Sequence, residues 1–279
     1  MVKIMVDSAS DMTKELCLEK GMEFIPIAVQ LGEKEYLDGV NLNRDYFYEF
    51  LIKSEAFPQT SQPSPANFVD IFTACKEQQE ELIYLALSSS LSGTMQSAIL
   101  AKNMVEYDGI YIVDSLTATF NIMVMADYAA GLVKEGMSAK EIVEKIEELK
   151  SHVKVIAGLD TLEYLAKGGR LSKAAASIGE MVRIKPVIEL TPEGEVGVVG
   201  KCIGKNKAMV AICKQLEGKK LKTGFPVYLI YSYGEENAAS LESRLNNIGI
   251  LITDTLQIGT AIGTHIGPNA FGLIYVEDF

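Results

Sequence analysis

The chain has 279 residues, 48% of them hydrophobic, enough to build one large domain or two ordinary ones around a sizeable core. Lys and Arg total 26 against 37 Asp and Glu, a formal charge of −11. That excess argues against a nucleic-acid scaffold or a polybasic surface for anionic lipid, since both phosphate backbones and acidic membranes attract Lys and Arg. Cys17, Cys75, Cys202 and Cys213 are dispersed with no CxxC pair, which argues against a zinc site; Cys75 and Cys213 sit in apolar helical settings and read as buried free thiols.

From the N-terminus, Ile4-Met5-Val6 reads as a strand that turns polar at Asp7 rather than as a leader. With so few cysteines this predicts a reducing cytoplasm, and the longest apolar runs are too short to span a bilayer. Apolar runs at 3–6, 24–31, 82–87 and 110–113 suit strands buried on both faces of a parallel sheet. Between them lie helical patterns. One starts after Ser64, with Pro65 at its first position and Phe68, Ile71, Phe72 and Cys75 on one face. Others cover about 94–105, 121–134 and 138–150, the last opening on a Ser138 to Glu141 capping box. The region 135–153 reads as a joint, dividing an N-terminal α/β domain (1–150) from a C-terminal α+β domain (151–279). The second part begins with a strand at 155–159 and a helix at 161–167 ended by Gly168-Gly169. Strands at 186–190 and 195–199 flank Thr191-Pro192-Glu193-Gly194, a hairpin signal. A helix at 205–217, a strand at 226–233, a helix at 235–247 and strands at 249–257 and 271–277 follow. The fold class is therefore α/β: a parallel-sheet domain followed by an α+β domain with some antiparallel sheet.

The polar residues concentrate where strands end. Val6 runs into Asp7-Ser8-Ala9-Ser10-Asp11, Leu87 into Ser88-Ser89-Ser90-Leu91-Ser92-Gly93-Thr94, and Val113 into Asp114-Ser115-Leu116-Thr117. Ligands of open parallel sheets sit beyond the carboxyl ends of the strands. At Asp7 and Asp114, capping competes evenly with a binding role. At Ser88 to Ser92 the serines exceed what one cap needs, and Gly93 would let backbone approach a ligand. Thr60-Ser61-Gln62 lies in a polar loop stiffened by Pro58 and Pro63, and His265 lies in Gly259 to Pro268, where glycines recur every four residues. The other histidine, His152, reads as a surface residue. Arg170 follows two glycines that a helix C-cap explains, and it can also reach an anion or a partner. These groups suit a small molecule with an anionic head. They leave open whether it is bound or processed: Ser92 and His265 supply two parts of a hydrolase, but GxSxG is absent and no acid is assigned to the histidine.

Five segments taken together, Val6 to Asp11, Thr60 to Ser64, Ser88 to Thr94, Leu162 to Arg170 and His265 to Pro268, are similar in content and order to the motifs of the DegV family and span nearly the whole chain. The resemblance implies a two-domain α/β protein of the FakB-like kind, holding a long-chain fatty acid between its domains. Such a protein presents the carboxylate to a separate FakA-like, ATP-dependent kinase, which makes an acyl phosphate for phospholipid synthesis. It implies that Thr60, Ser92 and His265 bind the carboxylate with Ser61 nearby, and that Arg170 faces the kinase. It implies no catalytic residue, no metal and no cofactor beyond the bound fatty acid, in a cytoplasmic carrier; a monomer suits a protein that hands its ligand to a partner. The alternative is an ester or thioester hydrolase using Ser92 and His265. One segment departs from the family: Ile203 and Asn206 stand where a basic run often follows the hairpin, which weakens kinase docking more than lipid binding. Met123, Met125, Met181 and the first-half aromatics are candidates for an acyl tunnel, with ordinary core packing the stronger reading for each.

Overall fold

The computed structural model describes residues 1–54, 56–171 and 184–279; Met181 and Ser172 lie outside the described residues. Two main sheets carry the architecture. The first is built from β1 (Val2–Asp7), β2 (Glu23–Ile25), β6 (Glu81–Ala86) and β7 (Ile110–Asp114), in the order β2-β1-β6-β7, all parallel. A small antiparallel sheet, β4-β3-β5, consists of β3 (Ala28–Leu31), β4 (Lys34–Leu37) and β5 (Gln59–Ser61). The second main sheet comprises β8 (Val153–Gly158), β9 (Ile184–Leu190), β10 (Val196–Ile203), β11 (Tyr228–Tyr231), β12 (Asp254–Gln257) and β13 (Phe271–Val276), in the order β10-β9-β8-β13-β11-β12. Its pairs are antiparallel except β11–β12. A parallel sheet followed by a mixed one is the α/β plus α+β arrangement that the strand and hairpin signals predict.

The first sheet is covered on both faces, so β1 and β6 are almost wholly buried and carry no polar alternation. Phe68, Phe72 and Cys75 of the helix Pro65–Gln78 cover one face together with Ala98 and Ala101 of the helix Thr94–Val105. On the other face lies the helix Phe120–Lys134, whose residues 120–126 are all buried because it packs on both β1 and β8. A helix apolar around its circumference needs neighbours on several sides; here one continuous core joins Val6 and Leu85 of the first sheet to Val153, Ile230 and Ile274 of the second. Met123 and Met125 belong to this core.

Two readings change. The apolar run 24–31 is two strands in different sheets, broken at Pro26 between Ile25 and Ile27. Proline lacks the donor a continuous ladder needs. The segment read as a polar loop contains β5, which pairs with β3 at Thr60↔Val29. A third element was absent from the prediction: Thr260–Ile266 is a helix. Gly259 and Gly267 cap it, and its internal Gly263 lowers helix propensity but permits close packing, since a Cβ there would lie 2.5 Å from the Tyr48 hydroxyl and 2.9 Å from the Phe47 ring.

Gly263→Ala should therefore destabilise the protein by about 1–3 kcal/mol through overpacking, although alanine is the better helix former. Urea unfolding measures this; an unchanged or higher midpoint would mean that Tyr48 and Phe47 yield to the added methyl.

Candidate functional site

The face of the second sheet that turns towards the first encloses a cavity of about 410 Å³. Side chains alternate along a strand, so β8 contributes Val155 and Ala157, β9 contributes Ile188 and Leu190, and Ile230 comes from β11. Opposite them stand Ala9, Leu87 and Ala118 from the segments that follow β1, β6 and β7. The carboxyl ends of the parallel strands thus meet the apolar face of the mixed sheet, the place where an open sheet leaves a crevice.

Thr60, Ser61, Ser92, His265 and Arg170 all line this one cavity. Thr60 arrives on β5, and its Oγ1 lies 2.9 Å from His265 Nε2 on the helix Thr260–Ile266. Gln62, two residues further on, donates through Nε2 to Ser97 Oγ at 3.0 Å and fills the space beside Gly93, leaving no room for a Cβ there. The glycine thus admits a protein carboxamide, not a ligand. Arg170 donates through Nε to Leu91 O at 3.0 Å and through Nη1 to Gly168 O at 2.5 Å. The imidazole packs against Gly168. These contacts link Thr60, His265, Gly168, Arg170 and Leu91 into one polar cluster, with Ser92 next in sequence. Ser61 and Gln62 are exposed, so the cluster lies on the solvent side of the cavity.

The serine-rich loop divides its labour. Ser88 Oγ donates to Gly194 O at 2.9 Å and Ser90 Oγ to Glu193 O at 2.7 Å, so these two hydroxyls tie the loop to the β9–β10 hairpin tip. Ser89 Oγ donates to Asp114 Oδ2 at 2.5 Å. Only Ser92 among the four lines the cavity, and its Oγ pairs with Thr94 Oγ1 at 2.8 Å. Asp114 also accepts from the Leu116 N–H at 3.0 Å, and Asp7 from Ala9 N at 3.0 Å, Leu87 N at 2.9 Å and the Tyr84 hydroxyl at 2.7 Å. Both aspartates hold backbone turns.

Burial, with a smaller contribution from the Arg170 cation, lowers the His265 pKa from 6.5 to about 4, so the imidazole is neutral at neutral pH. Its Nδ1 is buried without a hydrogen-bond partner among the described residues. The contact at Nε2 is with the Thr60 hydroxyl, and no described carboxylate orients the ring. A serine hydrolase needs the nucleophile on the base and a third group behind the base; this geometry instead joins hydroxyls and a neutral ring around the mouth of an apolar space. Among the described residues no group of three or more His, Cys, Asp or Glu is arranged to hold a metal ion, and no helix is long and apolar enough to cross a membrane.

The apolar lining was the part that sequence reasoning missed. Val155 and Ala157, or Ile188 and Leu190, alternate along their strands as any half-buried strand does, and that alternation does not say which face meets a cavity. Thr119 was also missed; it lines the cavity with its backbone at φ 59.

Comparison with known proteins places this geometry in a family. The model of the DegV family, described as uncharacterised proteins, matches residues 1–278. A DegV domain-containing protein of Clostridium perfringens is 31% identical over 278 residues, covering 100% of this chain and 99% of its own length. Protein DegV of Bacillus subtilis is 30% identical over 278 residues, covering 98% of both. Among solved structures, a DegV family protein from Thermus thermophilus, described as binding fatty acid, superposes with a TM-score of 0.88 at 30% identity over 99% of each chain. A stearic acid-binding protein from Eubacterium ventriosum gives 0.88 at 28% identity, covering 99% of this chain and 98% of its own. Motif order, two-sheet architecture and full-length matches agree: this chain belongs to the DegV family.

Proposed function

We propose that this protein binds a long-chain fatty acid in the cavity between its two sheets and has no catalysis of its own. The observation that carries the reading is the cavity's composition: an apolar wall built by both halves, with a hydroxyl–imidazole cluster on its solvent side. Each buried methylene of an acyl chain contributes roughly 0.8 kcal/mol, so the tail supplies most of the affinity. The head is costly to bury without partners. Thr60, Ser61, Ser92 and His265 supply donors for it, charge-assisted when the head is a carboxylate. A neutral imidazole with a proton on Nε2 donates without bringing a second buried charge. The DegV neighbours described as fatty acid-binding support this assignment. The hydrolase alternative finds no support in the Ser92–Thr94 and Thr60–His265 pairings.

The reading extends to a partner. A head group on the solvent side suits presentation to a FakA-like, ATP-dependent kinase, with Arg170 at the partner-facing rim. Ile203, 65% exposed on β10, and Asn206, which holds Arg244, stand in the segment where more basic residues would serve such docking; a different contact surface for the partner follows from that. A cytoplasmic monomer divided into domains at about residue 150, working without metal or cofactor, completes the proposal.

Three measurements test it. Organic extraction of the purified protein followed by mass spectrometry should release a fatty acid, and His265→Ala or Ser92→Ala should retain less of it; an empty extract from protein that also ignores added fatty acid overturns the reading. Hydrolysis of p-nitrophenyl esters that disappears in Ser92→Ala would favour the alternative. The third concerns the neutral ring. Because the folded His265 pKa lies below its ordinary value, the stability it contributes is fully present above about 6.5 and is lost as pH falls through about 4. The Tm difference between the wild type and His265→Gln should stay constant above pH 7 and move against the wild type on acidification across that window. A pH-independent difference would contradict the buried neutral imidazole.

A further inference from the structure

The connection that leads into the helix Thr260–Ile266 is held in an unusual way. Four consecutive residues, 257 to 260, each have a backbone group bound by a side chain from the N-terminal part of the chain. Arg44 donates to Gln257 O, and through Nη2 to Asp11 O at 2.6 Å. The Tyr48 hydroxyl donates to Ile258 O at 3.0 Å. Gly259 N donates to Asp11 Oδ1 at 2.9 Å, and Thr260 N to Asp38 Oδ1 at 3.0 Å. The Thr260 hydroxyl adds a second bond to Asp38 Oδ1 at 2.7 Å. Asp11, Asp38 and Tyr48 are at most 3% exposed.

This arrangement is expensive. Two carboxylates are taken out of water, and Asp38 Oδ2 has no hydrogen-bond partner among the described residues. The second oxygen of Asp11 accepts from the Thr119 hydroxyl at 2.5 Å, and Thr119 sits at φ 59, ψ −157, a region that costs a β-branched residue of order 1–3 kcal/mol. Folding alone does not call for such a set of groups, because apolar contacts would dock the two sheets more cheaply. What the set does fix is the start of a seven-residue helix. A helix that short has little stability of its own, so its first turn sets the direction of everything after it. His265 lies one turn and a residue beyond Thr260, and its Nε2 must arrive within hydrogen-bond reach of Thr60.

We infer that Asp11 and Asp38 are positioning residues for the head-group site: by binding the backbone at Gly259 and Thr260 they set the orientation in which His265 meets Thr60 and the ligand's carboxylate. This rests on the fatty-acid reading above, and it adds that recognition of the acidic head, as distinct from retention of the tail, depends on two carboxylates that line no part of the cavity.

The test is the ratio of affinities for myristate and myristyl alcohol, measured by displacement of a fluorescent fatty acid from the full chain. The two ligands share a tail and differ in the head. Asp38→Ala should reduce the preference for the acid about tenfold, as expected for a lost charge-assisted hydrogen bond, while alcohol binding is little changed. Asp38→Asn keeps the Oδ1 acceptor and should restore most of the preference. If Asp38→Ala fails to fold, Thr260→Ala, which removes only the 2.7 Å hydroxyl contact, is read for the same loss to a smaller extent. A folded Asp38→Ala with an unchanged ratio overturns the inference, as does equal loss of acid and alcohol binding, which is what general loosening of the cavity produces. A wild type that binds neither ligand refutes the fatty-acid reading itself, an outcome distinct from either.

Discussion

The contact between Thr60 Oγ1 and His265 Nε2, 2.9 Å across a sequence separation of 205 residues, is the point on which the site depends. Neither residue reaches the other through local structure. Thr60 is carried on a three-residue strand that exists only because β3 offers it an antiparallel partner. His265 is carried on a seven-residue helix whose internal Gly263 disfavours helix formation. Each element is too weak to form alone: the strand is held by β3, the helix by Asp11, Asp38, Arg44 and Tyr48 of the N-terminal half, and the neighbouring Ser88–Ser90 loop is tied in turn to the C-terminal hairpin tip at Glu193–Gly194. The site and the docking of the two sheets are the same set of interactions.

Two buried acids, Asp11 at this docking contact and Asp7 among the turns of the first sheet, also make stability dependent on protonation. Burial raises Asp7 from 3.8 to about 6 and Asp11 to about 7, in each case against the opposing effect of hydrogen bonds or of Arg44. A carboxyl with a raised folded pKa contributes stability that is fully present below its unfolded value and is lost as pH rises through the folded one. His265 has the opposite sign. The two effects therefore run in opposite directions with pH: the carboxyl contributions are lost as pH rises from about 3.8 through 6 to 7, the imidazole contribution as pH falls from 6.5 through about 4, and the two windows overlap between them.

Much of this was legible from residues. The capping box at Ser138 and Glu141 and the Ser64 start of the helix Pro65–Gln78 form where local chemistry demands them. The turn at Thr191 to Gly194 likewise joins an antiparallel pair. Thr60, Ser92 and His265 were found as short polar groups at unusual places and proved to line one cavity. What failed was local in another sense. The run 24–31 reads as one strand on hydrophobicity alone, whereas Pro26 divides it between two sheets. Four serines looked like ligand groups, and three of them serve the backbone or a neighbouring turn. No pattern within a window pairs Asp11 or Asp38 with a backbone N–H more than 220 residues away, because that pairing is decided by how two sheets dock and not by what precedes or follows either aspartate.

The same logic explains why the cavity is tolerated. A folded chain gains from filling its interior at crystal-like density, and an unfilled apolar space between sheets forfeits contacts on every side. Here the space is lined by Val155, Ala157, Ile188 and Leu190, side chains of the same kind that elsewhere on these sheets close against helices. The polar docking groups hold the sheets in register without requiring those faces to collapse onto each other. On the proposed reading an acyl chain supplies the missing core. Ligand and fold are then thermodynamically linked, since whatever binds only the native state stabilises it. On that same reading, binding energy from the tail would offset the cost of the buried aspartates and the strained Thr119, and the head group would meet hydroxyls and an imidazole that the fold has already positioned.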